Sequence, residues 1–349
     1  MNRPLTPSPS HAGTVLQNDL EADPQHGGVP VADDASVQRD ERTDLAAANA
    51  VTADAVAGDV GAIGDIAPRR LNLLQRAVRR FSWLGLLGLA IVVFWVLVAF
   101  VGPLVAPYQG GALTSTEVFG GYTATNPLGT DYLGRDMLSR ILFGTRYTVG
   151  LALAAAVLAS TSGILFGLIA AVSGRWVDEG MSRLFDALIS IPSKVLALVV
   201  IAAFGSSVTV LTLVAAFAYL PGAYRISRSL AVSLMTLEYV QVARARGERL
   251  AYIARVEVLP NMVQPMLADF GLRFVYIVLL LSALSFLGLG VQPPDADWGS
   301  LVRENIGGLA EGAPAVLMPA IAIATLTVGM NLLIDNLRRR GGLGKGNAQ

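Results

Sequence analysis

Residues 238–261 read EYVQVARARGERLAYIARVEVLPN, a charged, helix-compatible stretch set between long apolar runs. Arg244, Arg246, Arg249 and Arg255 alternate with Glu238, Glu248 and Glu257, while Val242, Ala245, Leu250 and Ile253 give each half an apolar face. Gly247 lies between the halves. Glycine costs roughly 1 kcal/mol in a helix interior relative to alanine, so it predicts a break between two short helices. Pro260 is expected to stop the second helix. A basic two-helix hairpin between membrane spans belongs in water, where it can dock a soluble partner.

The spans come from the surrounding composition. Of 349 residues, 53% are hydrophobic and 15% charged, with a mean hydropathy of +0.56. That is too apolar for a soluble domain of this size. Runs at about 81–101, 148–172, 187–204, 208–224, 266–290 and 313–333 are each read as a crossing of the ~30 Å hydrocarbon layer. Gly205-Ser206-Ser207 leaves only a tight turn between the third and fourth. Five arginines between Arg69 and Arg80 precede the first run, which puts the N-terminus in the cytoplasm. Six crossings return the C-terminus to the same side. Arg175, Arg183, Arg225, Arg228, the hairpin arginines and Arg338–Arg340 then fall inside. The outer segments hold Arg135, Arg140, Arg146 and Arg303, offset by seven acidic residues. The fold expected is all-α: a polytopic membrane protein of six helices with a cytoplasmic hairpin.

Net charge is zero by cancellation: 11 acidic against 3 basic residues up to Ile66, 15 against 23 beyond it. Residues 1–68, rich in Ala, Asp, Gly and Pro, are expected to form a disordered acidic tail. They do not read as a secretory signal, since no apolar run follows the start. Residues 69–340 form the membrane domain and 341–349 a short cytoplasmic tail. With no cysteine, thiolate catalysis and disulfides are excluded. The two histidines, His11 and His26, lie in the tail, so no metal site is expected, and no cofactor. No Gly-rich Lys-Ser/Thr phosphate loop is present.

Several stretches together resemble a family. Gln241-Val242-Ala243, Gly247 and Leu259-Pro260 keep the spacing of the cytoplasmic "EAA" loop of binding-protein-dependent ABC importer permeases. The family usually has Glu and Ala at positions 241 and 242 and a hydrophobic residue at 257. Leu128-Gly-Thr-Asp131, Gly134-Arg135-Asp136, Ser139-Arg140 and Gly144-Thr-Arg146 resemble the "LGTD…GRD…SR…GAR" stretch of its dipeptide, oligopeptide and nickel branch. Gly174-Arg175-Trp176-Val177-Asp178 and Ile191-Pro192-Ser193 resemble "GGWVD" and "FPS". Leu284 to Pro294, followed by Trp298-Gly299, is similar almost letter for letter to "LSFLGLGVQPP…WG". The ending Asn331–Arg338 resembles "NLLGDGLRD".

The resemblance implies a non-catalytic permease subunit of an ATP-driven importer in a bacterial or archaeal cell membrane. It implies pairing with a second, homologous permease, two cytoplasmic ATP-binding subunits and an extracytoplasmic solute-binding protein. Besides these partners only the lipid bilayer is expected, and no nucleic acid. The solute would be a peptide, nickel, glutathione or another small molecule. The coupling loop would comprise Gln241, Val242, Ala243, Arg244, Arg246, Gly247, Glu248, Leu259 and Pro260. The alternative class, an ion-driven secondary transporter, needs ionisable residues in mid-membrane, whereas those here sit near span ends.

Individual residues carry further expectations. Thr130 or Asp131 is expected to cap the next helix, and Met137, Leu138, Ile141 and Leu142 to form an amphipathic helix on the outer face. Arg135 and Asp136 could pair or contact solute. Arg183 with Asp186, and Asp269 with Arg273, are spaced for ion pairs on one helix face. Trp176 suits an interface belt. Small residues in the second span, from Gly150 to Gly167, suit close packing within the chain or against a second bundle. Lys194 is open to two readings: snorkelling to headgroups, or facing a water-filled pathway.

Overall fold

The computed structural model describes residues 82–343, with side chains as far as Arg338. The expected acidic segment 1–68, the arginines before the first span and residues 344–349 lie outside the described residues. Among the described residues, five helices are long and apolar enough to cross a membrane. They are α1 (Trp83–Val105), α2 (Met137–Val172), α5 (Val208–Met235), α7 (Leu250–Phe286) and α9 (Pro314–Leu343). Between α2 and α5 stand α3 (Arg175–Ile189) and α4 (Ser193–Phe204), bent by 81° at their junction. Two short helices complete the set: α6 (Glu238–Ala245) and α8 (Trp298–Asn305). Among the described residues, extended pairing is limited to two isolated bridges in the loop after α1.

Chain geometry corrects several expectations. The third span does not run unbroken over 187–204. Residues 187–189 end α3, and Pro192, which has no N–H, separates them from the 12-residue α4. At ~1.5 Å per residue α4 alone covers about 18 Å, too little to cross. The amphipathic helix expected at the outer face is instead the start of α2, because nothing breaks the helix between Leu142 and Thr148. Met137 and Ile141 are buried there. Nor does Pro260 stop the second hairpin helix. Ile253–Val258 widens into a π-turn, Leu259 donating its N–H to the carbonyl of Ala254, and the helix runs on past the proline to Phe286. A wider turn is where a helix absorbs a residue that cannot donate.

Helices α2 and α5 form the tightest pair, so small residues of the second span serve packing within the chain, one of the two uses open to them. A Cβ on Gly163 would stand 2.3 Å from that of Ala223, and one on Gly167 2.0 Å from Ser227 Oγ. Ser227 Oγ donates to the Gly163 carbonyl at 2.7 Å. Such contact is how helices associate where lipid offers no hydrophobic drive. The main core runs between α2, α5, α7 and α9, and Trp298 of α8 is wholly buried in it. The Trp298 backbone N–H donates to Thr148 Oγ1 at 3.0 Å and its ring N–H to the Ile141 carbonyl at 3.3 Å.

The bundle therefore has a loop end, with segments 106–136 and 287–313, and a hairpin end built around α6. At the loop end Asp131 is fully buried. It accepts from the N–H groups of Leu133 and Arg135, from Arg135 Nε at 2.7 Å and from Arg140 at 2.8 Å. Arg140 also reaches Glu304 of α8 at 2.7 Å. Asp131 is thus a hub of charge, and the cap on α2 is Asp136, which accepts from the Ser139 N–H at 2.8 Å. Arg135 pairs with Asp131 and not with its neighbour Asp136. Arg183 and Asp186 are both exposed and make no ion pair with one another; Asp178 of α3 pairs with Arg228 of α5 instead. Asp269 and Arg273 do pair, at 2.6 Å.

Candidate functional site

The hairpin is built from two amphipathic pieces around one left-handed residue. Glu238 opens α6, where a carboxylate is favoured by the exposed N–H groups, and Arg244 closes it near the free carbonyls. Val240 and Ala243, three apart, are fully buried. The helix ends in a Schellman arrangement. Glu248 N–H bonds the Ala243 carbonyl at 3.2 Å, Gly247 N–H bonds that of Arg244 at 2.9 Å, and Gly247 takes φ +79°. A Cβ on Gly247 would meet nothing within 4 Å. Its glycine is required by backbone angle and not by crowding within this chain.

Beyond the break, Arg249 stands at the N-cap of α7, and the π-turn turns Ile253, Ala254 and Val258 inward. Ile253 and Val258 join Leu168 of α2, Ala231 and Met235 of α5, Val240 and Ala243 of α6, and Met262 and Met266 of α7 in a separate apolar socket. Polar ties are few. Gln241 donates its side-chain N–H to the Met235 carbonyl at 2.9 Å, a bond that the family's usual glutamate could not make when ionised. Asn261 donates to the Tyr239 hydroxyl at 3.3 Å, fastening α6 to α7 just past Pro260.

All nine residues expected in the coupling loop lie on this one knob. Ala243 is its buried anchor and Leu259 is half-buried against the socket. Gln241, Val242, Arg244, Arg246, Gly247 and Pro260 are exposed, and Glu248 is half-exposed. Among the described residues none of the charges from Glu238 to Glu257 forms an ion pair. Leu237, Tyr239, Val242, Leu250, Tyr252 and Val256 add exposed apolar surface. Sequence reasoning missed the socket residues Val240, Val258 and Met262, and the ties from Tyr239 and Asn261. The first three carried a signal, apolar residues at helical spacing: Val240 stands three before Ala243, and Val258 four before Met262.

A surface of unpaired cations and apolar side chains, carried on a helix that continues into the bundle, is suited to docking a partner and passing its motion on. The family model described as "Binding-protein-dependent transport system inner membrane component" matches residues 163–341, from the middle of α2 through the hairpin to α9. The chain belongs to this family. It is 32% identical over 255 residues to the dipeptide transport system permease protein of Alkalihalophilus pseudofirmus, covering 73% of this chain and 84% of that one. With the di/tripeptide transport system permease protein of Pseudomonas aeruginosa it shares 33% identity over 260 residues, 73% of this chain and 85% of the other. A glutathione transport system permease protein of Pectobacterium atrosepticum is 32% identical over 218 residues, 62% and 72% of the two chains. This member of the family is a multi-pass membrane permease of the ABC importer class, with the hairpin inside the matched region.

Proposed function

We propose that the chain forms half of the translocation pathway of an ATP-driven peptide importer, and that residues 238–261 receive the motion of cytoplasmic ATPases. The observation that carries the coupling role is the hairpin itself: an exposed, unpaired basic knob whose second helix is continuous with α7. Arg244 and Arg246 flank Gly247 and can bond carboxylates or helix C-termini on a partner. Short peptides are the solute class favoured, because the three relatives above are named for dipeptides, di- and tripeptides and glutathione. A second permease completes the pathway, two ATP-binding subunits sit below it, and a solute-binding protein delivers the peptide at the loop end.

The arginine excess of the hairpin end supports a cytoplasmic location. The bent pair α3–α4 then counts as the third of six spans. Reporter fusions after Ser206 should read extracytoplasmic and fusions after Gly247 cytoplasmic; the reverse pattern would overturn the orientation. Coupling is tested with Gly247→Asp in the purified, assembled transporter. The variant should assemble its spans normally, yet lose solute-stimulated ATP hydrolysis and retain less of the ATPases on purification. Gly247→Ala keeps the left-handed angle at a cost of about 1–2 kcal/mol and should retain most of the stimulation. Normal stimulation in Gly247→Asp would remove the hairpin from the coupling role.

A further inference from the structure

Lys194 stands at the break in the α3–α4 pair, and the contacts of that pair fix its depth. α3 climbs α5 antiparallel: Asp178 meets Arg228, Ser182 Oγ lies 2.8 Å from the Tyr224 hydroxyl, and Leu188 and Leu220 flank the same small cluster. Beyond the break, α4 stays packed against α5. The apolar part of α5 runs over 208–224, before Arg225 and Arg228. Leu220, which flanks that cluster together with Leu188, lies about 12 residues into it, roughly 18 Å from its start. The break therefore falls well inside the hydrocarbon layer, further from the hairpin end than the sequence suggested.

Two features at that depth demand water or protein. Past Ser190 the chain leaves helical geometry at Ile191 and Pro192, and all three residues are exposed on the chain. Irregular backbone at membrane depth is tolerated only when buried in protein or lining a water-filled space. Lys194 is likewise exposed, with no ion pair and no side-chain hydrogen bond among the described residues. Its direction separates the two readings open from sequence. At 3.6 residues per turn Lys194 shares its face with Ala197 and Ile201, both buried against the bundle. Val195 and Val199, 50% and 62% exposed, mark the outward face. Snorkelling along lipid would use that outward face. Arg273, by contrast, is committed to Asp269 and to the Tyr219 carbonyl at 2.8 Å. Tyr219 itself stacks on the half-exposed Tyr276, ring centroids 6.3 Å apart.

We propose that Lys194 lines the solute passage at this break and there takes the carboxylate of the passing peptide. The solute class rests on the peptide-importer reading above; the position of Lys194 does not. An exposed ammonium group free of a carboxylate partner is complementary to the C-terminal end of a zwitterionic peptide.

The chain has no cysteine, so single cysteines report without background from this subunit. In the complete transporter with its partner permease, ATPases and binding protein in liposomes, Lys194→Cys should react with a charged, membrane-impermeant methanethiosulfonate during turnover. Dipeptide should slow that reaction several-fold, and Val199→Cys should not react. Lys194→Met should lower dipeptide uptake about tenfold, the scale of one lost charge-assisted hydrogen bond, with Lys194→Arg restoring most of it. An unreactive Lys194→Cys, or unchanged uptake in Lys194→Met, overturns the proposal. A wild-type transporter that carries no peptide would instead sink the peptide reading, and the labelling result would still decide whether Lys194 faces the passage.

Discussion

At the loop end, Asp131, Arg135, Arg140 and Glu304 form a nearly dry network in which each group is held by direction as well as charge. Trp298 and Asp297 add further directed bonds beside it. At the hairpin end, α6 and the π-turn rest on Leu168, Met235, Val258 and Met262, tied by side-chain hydrogen bonds from Gln241 and Asn261 and a long one from Arg244 to the Met235 sulfur. Directed networks tolerate one arrangement and penalise the rest. Apolar contact is non-directional and allows a seated element to shift while staying dry. The hairpin's charges form no ion pairs among the described residues, while those of the Asp131 network are spent within the chain. One end is built to keep its shape, the other to meet something and yield.

The largest test of this contrast is Arg140→Leu, which removes the more buried of the two arginines that bridge Asp131 and Glu304. Breaking a buried pair from one side costs about 3–5 kcal/mol, so yield and melting temperature of the purified protein should fall sharply. Arg246→Leu, on the exposed knob, should leave both within the ±0.5 kcal/mol usual for surface changes. Equal losses at the two sites would erase the distinction. Met262→Ala probes the socket. Truncating a buried methionine costs about 2–5 kcal/mol, and the damage should stay local. Amide exchange over 238–258 should quicken while the loop end keeps its protection; quickening at both ends would mean that the socket is no softer than the network.

The smallest effect is a pH dependence. Burial raises the Asp297 carboxyl above the ordinary range, outweighing its hydrogen bonds from Ser285, Ser300 and Val291. The folded state then holds this proton to higher pH than the unfolded chain does. Its contribution to stability is present below the unfolded pKa and declines as pH rises through the folded one. Asp297→Asn cannot ionise. Its melting temperature relative to wild type should climb from acid to neutral pH, and a parallel course for the two proteins would contradict the burial argument.

Much of this was legible in the chain. Long apolar runs located α1, α2, α5, α7 and α9, and Gly247 marked a turn that proved to need a positive φ. Asp269 and Arg273 were readable as a pair because they sit four apart on one helix. Local spacing could not show that Arg140 would meet Glu304, 164 residues away, or that Asp178 would choose Arg228 over nearer charges. Those pairings depend on how the helices assemble. Pro192 did carry a signal for the break in the third span, but hydropathy averaged over 187–204 hid it. Pro260 misled for the opposite reason: a π-turn six residues long absorbed a residue that ordinarily ends a helix.

That uninterrupted helix from Leu250 to Phe286 has a mechanical meaning. Thirty-seven residues make a rod about 55 Å long, with a basic knob at one tip and Ser285, bonded to Asp297, at the other. A tilt of only about 5° about the first tip sweeps the second through roughly 5 Å. A nudge small enough to leave the socket dry would thus arrive at the far face of the membrane as a movement the width of a side chain, with no relay of intermediate contacts.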